Sequence, residues 1–214
     1  MNPTPTDSLA RSPVYRRWET AAEPCGESLI AVATEAATAP CTLADLSPLS
    51  RIAVRGPGAV AALQGADWPV PDQANRLEPA GSIIIARLGA SEHWLLNTAV
   101  GAPLSLPDAE DDAVMYAVPC QDSHAWFCLR GPARHEVMAK LCGVDLAEAA
   151  FPVGRVAQTS VALISAIVLH HDCYGEPGFS LLCDVSYADY LWSALTDAMS
   201  EFGGEVTGVP HGAG

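Results

Sequence analysis

Apolar and polar positions along this chain repeat one arrangement twice. Residues 52–54 and 126–129 are short apolar runs, and each leads into Arg-Gly-Pro and then a stretch of helical spacing. Glycine suits a tight turn, and proline fits a first helical turn, where its missing N–H costs nothing. The apolar residues that then share a helical face are Val60 and Leu63 in the first copy and Val137, Met138 and Leu141 in the second. Two strand–turn–helix units predict an internally duplicated fold.

Apolar runs elsewhere predict strands, and one longer stretch predicts a helix. The predicted strands are residues 82–88 and 93–97, which form a hairpin across a Leu-Gly turn, then 114–118, 156–169 (one bent strand or two short ones) and 179–183. Residues 187–202 have an apolar face at helical spacing, and two glycines follow them. We therefore expect a third helix there.

This order of elements predicts an α+β fold with mostly antiparallel sheets and helices on one side, built as two pseudo-repeated ferredoxin-like halves. Residues 1–24, rich in Pro, Ser, Thr and Arg, predict an extended N-terminal arm. Residues 25–206 predict a single unit whose halves are about 25–118 and 119–206, and 207–214 predict a flexible tail.

Composition excludes several classes of function. Half of the 214 residues are hydrophobic, and 11 basic against 25 acidic residues give a net charge of −14. Binding to nucleic acid or anionic lipid requires clustered Lys and Arg, so neither is expected. Residues 161–169, the longest apolar stretch, are too few to span a bilayer, and the first residues do not resemble a signal peptide. Seven cysteines without a CxxC pair favour a reducing, cytoplasmic location.

Two clusters contain side chains of the types that bind metals or act in catalysis. The cluster His170-His171-Asp172-Cys173 has metal-type ligands, but adjacent strand residues point to opposite faces, so we expect a polar turn instead. The stretch Cys120–His124 places a thiol near an imidazole, but catalytic pairs converge in space, and Asp-Ser before a strand is ordinary turn chemistry.

Further polar features are interpreted as turns or as surface. The stretches Arg55–Gly58 and Arg130–Pro132 lack the spacing of phosphate-binding loops and predict structural turns. The acidic run Asp108–Asp112 predicts a solvated loop, with docking to a basic partner as the alternative. Trp18, beside two arginines in the polar arm, is a candidate interface anchor, whereas the other tryptophans are expected in the core.

Several stretches resemble the gamma subunit of heterotetrameric sarcosine oxidase. These are residues 49–59, 68–71 with Asn75, 141–146, 151–154, 156–162, 190–195 and 198–204, and Val-Ala-Gln-Thr-Ser at 156–160 is the sharpest. The resemblance covers residues 45–204. That subunit is similar in fold to the N-terminal part of the glycine-cleavage T-protein, a folate-binding aminomethyltransferase, and the resemblance implies the same fold here.

One turn bears on folate binding. Residues 174–179, Tyr-Gly-Glu-Pro-Gly-Phe, resemble a T-protein turn in which a carboxylate follows the phenylalanine. The resemblance implies that this carboxylate contacts the pterin, since a carboxylate can accept two ring N–H bonds. This chain has Ser180 there, and it lacks the length of the T-protein. We therefore assign it no catalytic, cofactor-binding or metal-binding residue.

The resemblance implies a non-catalytic gamma subunit of a flavin-dependent oxidoreductase that demethylates sarcosine. FAD, FMN, NAD and tetrahydrofolate are then expected on other subunits, and the alpha, beta and delta subunits are the expected partners. This chain would pack on the folate-binding part of alpha. The alternatives are a gamma-like subunit of N-methylglutamate dehydrogenase, a free-standing folate-binding aminomethyltransferase-like enzyme, and a free-standing regulator.

Overall fold

The computed structural model describes residues 10–33, 38–106 and 114–210. The helices are α1 (Ala59–Gly65), α2 (Arg134–Leu141) and α3 (Ala188–Ser200). The strands are β1 (Ala22–Cys25), β2 (Ser28–Ala33), β3 (Thr42–Asp45), β4 (Arg51–Arg55), β5 (Arg76–Ala80), β6 (Ile83–Arg87), β7 (Glu92–Asn97), β8 (Tyr116–Pro119), β9 (His124–Arg130), β10 (Arg155–Val161), β11 (Ile164–Asp172), β12 (Pro177–Asp184), β13 (Glu205–Thr207) and β14 (Val209–Pro210). Among the described residues, no helix has the length and apolar character needed to cross a bilayer.

Most of the described strands belong to one large sheet. Its order is β13–β3–β9–β12–β11–β10–β5–β6–β7–β4–β8, and β1, β2 and β14 form a smaller sheet. Neighbours in the large sheet are antiparallel, except that β13 runs parallel to β3. The predicted α+β fold with mostly antiparallel strands is confirmed.

The large sheet contains one strand order twice. Each set is a strand, a helix and three further strands, namely β4-α1-β5-β6-β7 and β9-α2-β10-β11-β12. In both sets the first strand lies beside the last, and the sets meet where β5 pairs with β10. We call this junction the seam. The ferredoxin-like form of each half is not confirmed, because each set has one helix followed by three strands.

Both Arg-Gly-Pro stretches turn the chain from strand to helix, as predicted. Gly56 has a φ of 127° and Gly131 a φ of 97°, which glycine tolerates and side-chain-bearing residues rarely adopt. A Cβ at Gly131 would lie 2.6 Å from the carbonyl oxygen of Pro40, and one at Gly56 would overlap the carbonyl of Val114. At both turns glycine is therefore required for two reasons, the positive φ and the lack of space for a Cβ.

The helices cover one face of the large sheet in two separate clusters. Phe127 and Phe179 of the sheet cluster with Met138 of α2 and Trp192 of α3, and Val54 of the sheet clusters with Leu63 of α1. The opposite face is buried against the small sheet; its core includes Trp126, Leu96, Leu182 and Ile30. The seam lies between the two helix-covered clusters.

The segments flanking the large sheet pack on it. Trp18 donates from Nε1 to Asp45 Oδ2 at 2.9 Å, and Arg17 forms an ion pair with Asp189 at 2.9 Å. The side chain singled out as an interface anchor thus bonds within its own chain. Residues 205–210 carry β13 and β14, and Val209 is buried, so part of the predicted tail lies in strands, and 211–214 fall outside the described residues.

Candidate functional site

Ser180 stands at the centre of a buried polar network. It lies midway along β12 with none of its surface exposed. Its Oγ is 2.7 Å from Trp126 Nε1 and 2.7 Å from His171 Nε2. The network forms because β12 is paired on one side with β9, which carries Trp126, and on the other with β11, which carries His171.

The direction of each hydrogen bond follows from the chemistry of the partners. His171 Nδ1 lies 2.6 Å from the backbone oxygen of Asp172, which can only accept, so Nδ1 carries the proton. Nε2 of His171 is then unprotonated and accepts a hydrogen bond from the Ser180 hydroxyl. The Ser180 oxygen in turn accepts from the indole N–H of Trp126, which can only donate. Every polar atom of the network is satisfied.

Burial keeps the surroundings of this network uncharged. It lowers the pKa of His171 to about 4, so the imidazole is neutral at pH 7. The Cys173 Sγ lies 3.4 Å from His171 Nε2, and burial raises the pKa of its thiol well above the usual value. Burial likewise raises the pKa of Tyr174, whose hydroxyl donates to the Thr98 carbonyl at 3.1 Å. Burial therefore favours the neutral form of all three side chains.

A serine bonded to a histidine resembles a nucleophile with its base. Ser180, however, has no exposed surface, and its hydrogen and its oxygen are both engaged. No substrate atom can approach it from solvent. A pterin ring is equally excluded, and a hydroxyl cannot accept two ring N–H bonds as a carboxylate does. The residues present therefore do not fit the folate contact that the resemblance implies.

A cavity of about 750 Å³ opens at the seam. Strands β5 and β10 pair only at Arg76 and Arg155 and then separate, which leaves a gap in the sheet. The cavity is lined by residues 71–73 on one side and 153–154 on the other, with Arg76 and Glu78 of β5 between them. We call it the seam cavity.

The buried network forms part of the wall of the seam cavity. His171 and Tyr174 both line the cavity, and His171 also bonds Ser180. Because Ser180 lies behind His171, a molecule in the cavity would contact the imidazole and the phenol but not the serine. The cavity therefore does not expose Ser180 to a ligand; its charged lining residues are Asp72, Arg76, Glu78 and Asp172.

Gln158, in the sharpest stretch of the resemblance, joins the two halves. Its amide nitrogen donates to Asn75 Oδ1 at 2.9 Å and to the Leu88 carbonyl at 2.8 Å. Asn75 has a φ of 61°, a conformation that asparagine tolerates better than most residues. The residues that carry the resemblance thus position the seam.

The two histidines face opposite sides of the sheet, as predicted, but the predicted polar turn is wrong for His170–Asp172, because these residues belong to strand β11. His170 donates from Nδ1 to the Phe151 carbonyl at 2.7 Å on the helix-covered side, whereas His171 faces Ser180. Within the part of the chain that the structure describes, no three His, Cys, Asp or Glu side chains are placed to hold a metal ion.

The stretch Cys120–His124 forms a turn, as predicted. Cys120 Sγ donates to the Val118 carbonyl at 3.3 Å, and burial raises the pKa of this thiol. His124 Nδ1 lies 2.9 Å from Ser123 Oγ, and its ring packs edge-on against Trp94 at 4.8 Å. The thiol and the imidazole have separate partners. The acidic run Asp108–Asp112 lies outside the described residues.

Sequence reasoning did not identify the arginines of the seam. Arg155, Arg76 and Arg87 occupy register positions on the neighbouring strands β10, β5 and β6. The signal that could have revealed them is the pairing of β5 with β10, and the sequence gives no sign that residues 76–80 form a strand.

Comparison with known proteins identifies the fold. The family described as GCVT N-terminal domain matches residues 79–211. A chain of the heterotetrameric sarcosine oxidase from Corynebacterium sp. U-96, solved in complex with pyrrole 2-carboxylate, superposes with a TM-score of 0.63 and 22% identity, over 79% of this chain and 89% of that one.

A second solved structure is similar over a longer stretch. The glycine cleavage system aminomethyltransferase T from Bartonella henselae gives a TM-score of 0.63 at 18% identity. The match covers 94% of this chain and 60% of that one, so this chain spans less than two thirds of the transferase. No curated protein matches the sequence. The expected relationship in fold to the aminomethyltransferase is confirmed.

Proposed function

This chain belongs to the GCVT N-terminal domain family, and on that premise we propose that it is a non-catalytic gamma subunit of a heterotetrameric, flavin-dependent sarcosine oxidase. In this role it contributes folded surface to the complex and no reacting group. It packs on the folate-binding part of the alpha subunit, in the cytoplasm. FAD, FMN, NAD and tetrahydrofolate are bound by other subunits.

One observation carries the proposal, namely the closure of the centre around Ser180. In the related transferase turn a carboxylate follows the phenylalanine, whereas here a serine follows Phe179 and its hydroxyl is held by Trp126 and His171. The position is both chemically changed and filled by its neighbours. A chain that keeps the scaffold of a one-carbon transferase without this contact is suited to a supporting role.

Two further facts support a subunit role. The solved structure that superposes over most of both chains belongs to a heterotetrameric sarcosine oxidase. The aminomethyltransferase, in contrast, is considerably longer than the part that this chain matches. The likeness in fold over most of both chains favours the oxidase subunit over an independent transferase.

The first experiment titrates the purified chain with tetrahydrofolate and follows the heat of binding. We expect no binding at micromolar concentrations, because no pterin can reach Ser180. A glycine-cleavage aminomethyltransferase, titrated in parallel, serves as the positive control. Micromolar binding by this chain would instead support the free-standing folate-binding enzyme.

The second experiment isolates the tagged chain from the cells that produce it, and measures flavin absorbance and sarcosine oxidation in the same fractions. We expect the chain to elute in a flavin-containing complex that oxidises sarcosine. Elution as a flavin-free monomer, with all sarcosine oxidation in other fractions, would refute the subunit role. N-methylglutamate in place of sarcosine, tested on the same fractions, identifies the related dehydrogenase.

A further inference from the structure

Three arginines lie side by side across the middle of the large sheet. Arg155 of β10 is the register partner of Arg76 of β5, and Arg76 is the register partner of Arg87 of β6. Directly opposed residues on neighbouring antiparallel strands project from the same face. His170 and His93 occupy the next positions on either side of the row. This arginine row therefore crosses the seam on the helix-covered face.

Arg155 and Arg76 are held close together. Leu77 N–H donates to the Gly154 carbonyl and Val156 N–H to the Asn75 carbonyl, both at 3.0 Å, on either side of the pair. This pattern marks a position without its own hydrogen bonds, where opposed Cα atoms are only about 4.5 Å apart. Two like charges at such a position destabilise the sheet.

No described residue neutralises this pair. Arg87 is used within the fold, since its guanidinium donates to the carbonyls of Pro71, Asp72 and Gly89. Arg155 Nε is buried with no acceptor in the described part of the chain, and no described carboxylate lies within ion-pair distance of Arg155 or Arg76. Other arginines of this acidic chain do have carboxylate partners; these are Arg17, Arg55, Arg130 and Arg134.

The seam cavity gives a ligand access to Arg76. Arg76 lines the cavity, whose volume of about 750 Å³ suits a small molecule. Asp72, Glu78 and Asp172 line the same cavity. Their carboxylates would repel a second negative charge on the ligand, so a molecule with one anionic group fits this cavity better than a dianion.

We propose that Arg76 binds the carboxylate of a small monocarboxylate ligand in the seam cavity, and that Arg155, directly opposite it, adds a second positive charge. The planar guanidinium of Arg76 can give a carboxylate two parallel hydrogen bonds, and the ligand charge offsets the repulsion between the two arginines. The inference is independent of the proposed subunit role, because it rests on charge and geometry within this chain.

The test is a titration of the full-length chain with propionate, followed by nuclear magnetic resonance at constant ionic strength. We expect saturable shifts of backbone resonances at Arg76, Arg155 and Val153–Gly154. In the Arg76→Gln variant the affinity should fall by about tenfold or more, since one charge-assisted contact is lost. The matched control is Arg55→Gln, which removes the same charge from an arginine already paired with Glu92 and should bind like the wild type.

Two further measurements keep the outcome decisive. Arg76→Gln relieves a like-charge contact, so it should unfold at a temperature no lower than the wild type, whereas a structural arginine would lower it. Malonate, a dianion, should bind more weakly than propionate. The proposal is overturned by shifts that chloride reproduces, by equal loss of affinity in both variants, or by tighter binding of malonate.

Discussion

The Ser180 network and the arginine pair at the seam lie only a few strands apart in one sheet, yet the polar groups of the first have hydrogen-bond partners and those of the second lack a neutralising partner. Around Ser180 every donor meets an acceptor, and the group is closed to solvent. At the seam, Arg155 and Arg76 face each other beside a cavity, and no described carboxylate lies within ion-pair distance of either. Completeness of bonding therefore separates polar groups that hold the fold from those that remain available to a ligand.

The difference has consequences of opposite sign for stability. A satisfied buried network strengthens its own bonds through the low dielectric of the interior, so removing one member leaves the others unpaired. An unneutralised pair of like charges costs stability until something binds it. Substitutions in the two regions should therefore move the free energy of unfolding in opposite directions, and four measurements examine this contrast.

The largest effect is expected for Ser180→Glu. The new carboxylate would be buried between Trp126 and His171 without a cation, which destabilises by about 4 kcal/mol or more. Urea unfolding followed by tryptophan fluorescence measures the change. The matched control is Ser165→Glu on β11, where the side chain is exposed and the change should stay within about 0.5 kcal/mol. A fully stable Ser180→Glu protein that binds tetrahydrofolate would overturn the closed-centre interpretation.

The next effect is the dependence of stability on pH. Burial depresses the pKa of His171 to about 4 from its ordinary 6.5, so the unfolded chain takes up this proton first as the pH falls. The stabilisation is complete above pH 6.5 and should decline by about 3 kcal/mol toward pH 4. Urea unfolding at a series of pH values measures the slope. His171→Gln should flatten the slope between these pH values, and an unchanged slope would show that His171 does not carry it.

A smaller loss is expected for Ser180→Ala. The indole N–H of Trp126 and Nε2 of His171 would both lose their partner, at a cost of about 1–3 kcal/mol. The exposed control Ser165→Ala should change stability by less than about 0.5 kcal/mol. If the two alanine variants unfold at the same urea concentration, the network contributes nothing measurable.

The smallest effect, and the one of opposite sign, is expected for Arg76→Gln. Removing one of two opposed positive charges should stabilise the ligand-free chain by about 0.2–1 kcal/mol. The gain should shrink at high salt, because screening already weakens the repulsion. Thermal unfolding at low and high salt measures both quantities. A destabilised variant would mean that Arg76 supports the fold, and the contrast between the two regions would then fail.

Much of the architecture was predictable because it is encoded locally. The echo of apolar run, Arg-Gly-Pro and helix gave both strand–turn–helix units, and β6 with β7 formed the predicted hairpin. The long run 156–169 divides into two strands at Ala162 and Leu163, which have φ values of 50° and 69°. Period and turn chemistry are properties of neighbouring residues, so a single sequence contains them.

The seam could not be predicted, because it depends on a strand with little strand character. Residues 76–80 read Arg-Leu-Glu-Pro-Ala and show no β-branched pattern. The N–H of Leu77 points toward β10, and an N–H at position 79 would point to the same side. Pro79 has no N–H, but β10 has already separated from β5 there, so no hydrogen bond is lost. The proline is therefore accommodated at the open gap, as prolines are at sheet edges. Only the paired strands reveal that Arg155 opposes Arg76.

The partners of Ser180 were equally out of reach. The departure from the transferase turn was visible in the sequence, but Trp126 lies far from Ser180 along the chain and meets it only through the pairing of β9 with β12. The opposite faces of His170 and His171 followed from strand geometry, whereas the bond from His171 to Ser180 required the register of β11. Long-range register is the information that a single sequence withholds.

The parallel pairing of β13 with β3, and of β14 with β2, has a consequence for synthesis on the ribosome. Thr42 and Glu205 are register partners, so about 160 residues are translated between β3 and its neighbour β13. Strand β2 likewise stays without its neighbour β14 over a similar length of chain. During that interval the nascent chain exposes unpaired strand edges that invite association with other chains. Closure of the two sheets is thus among the last events of folding, and chaperone protection matters most just before it.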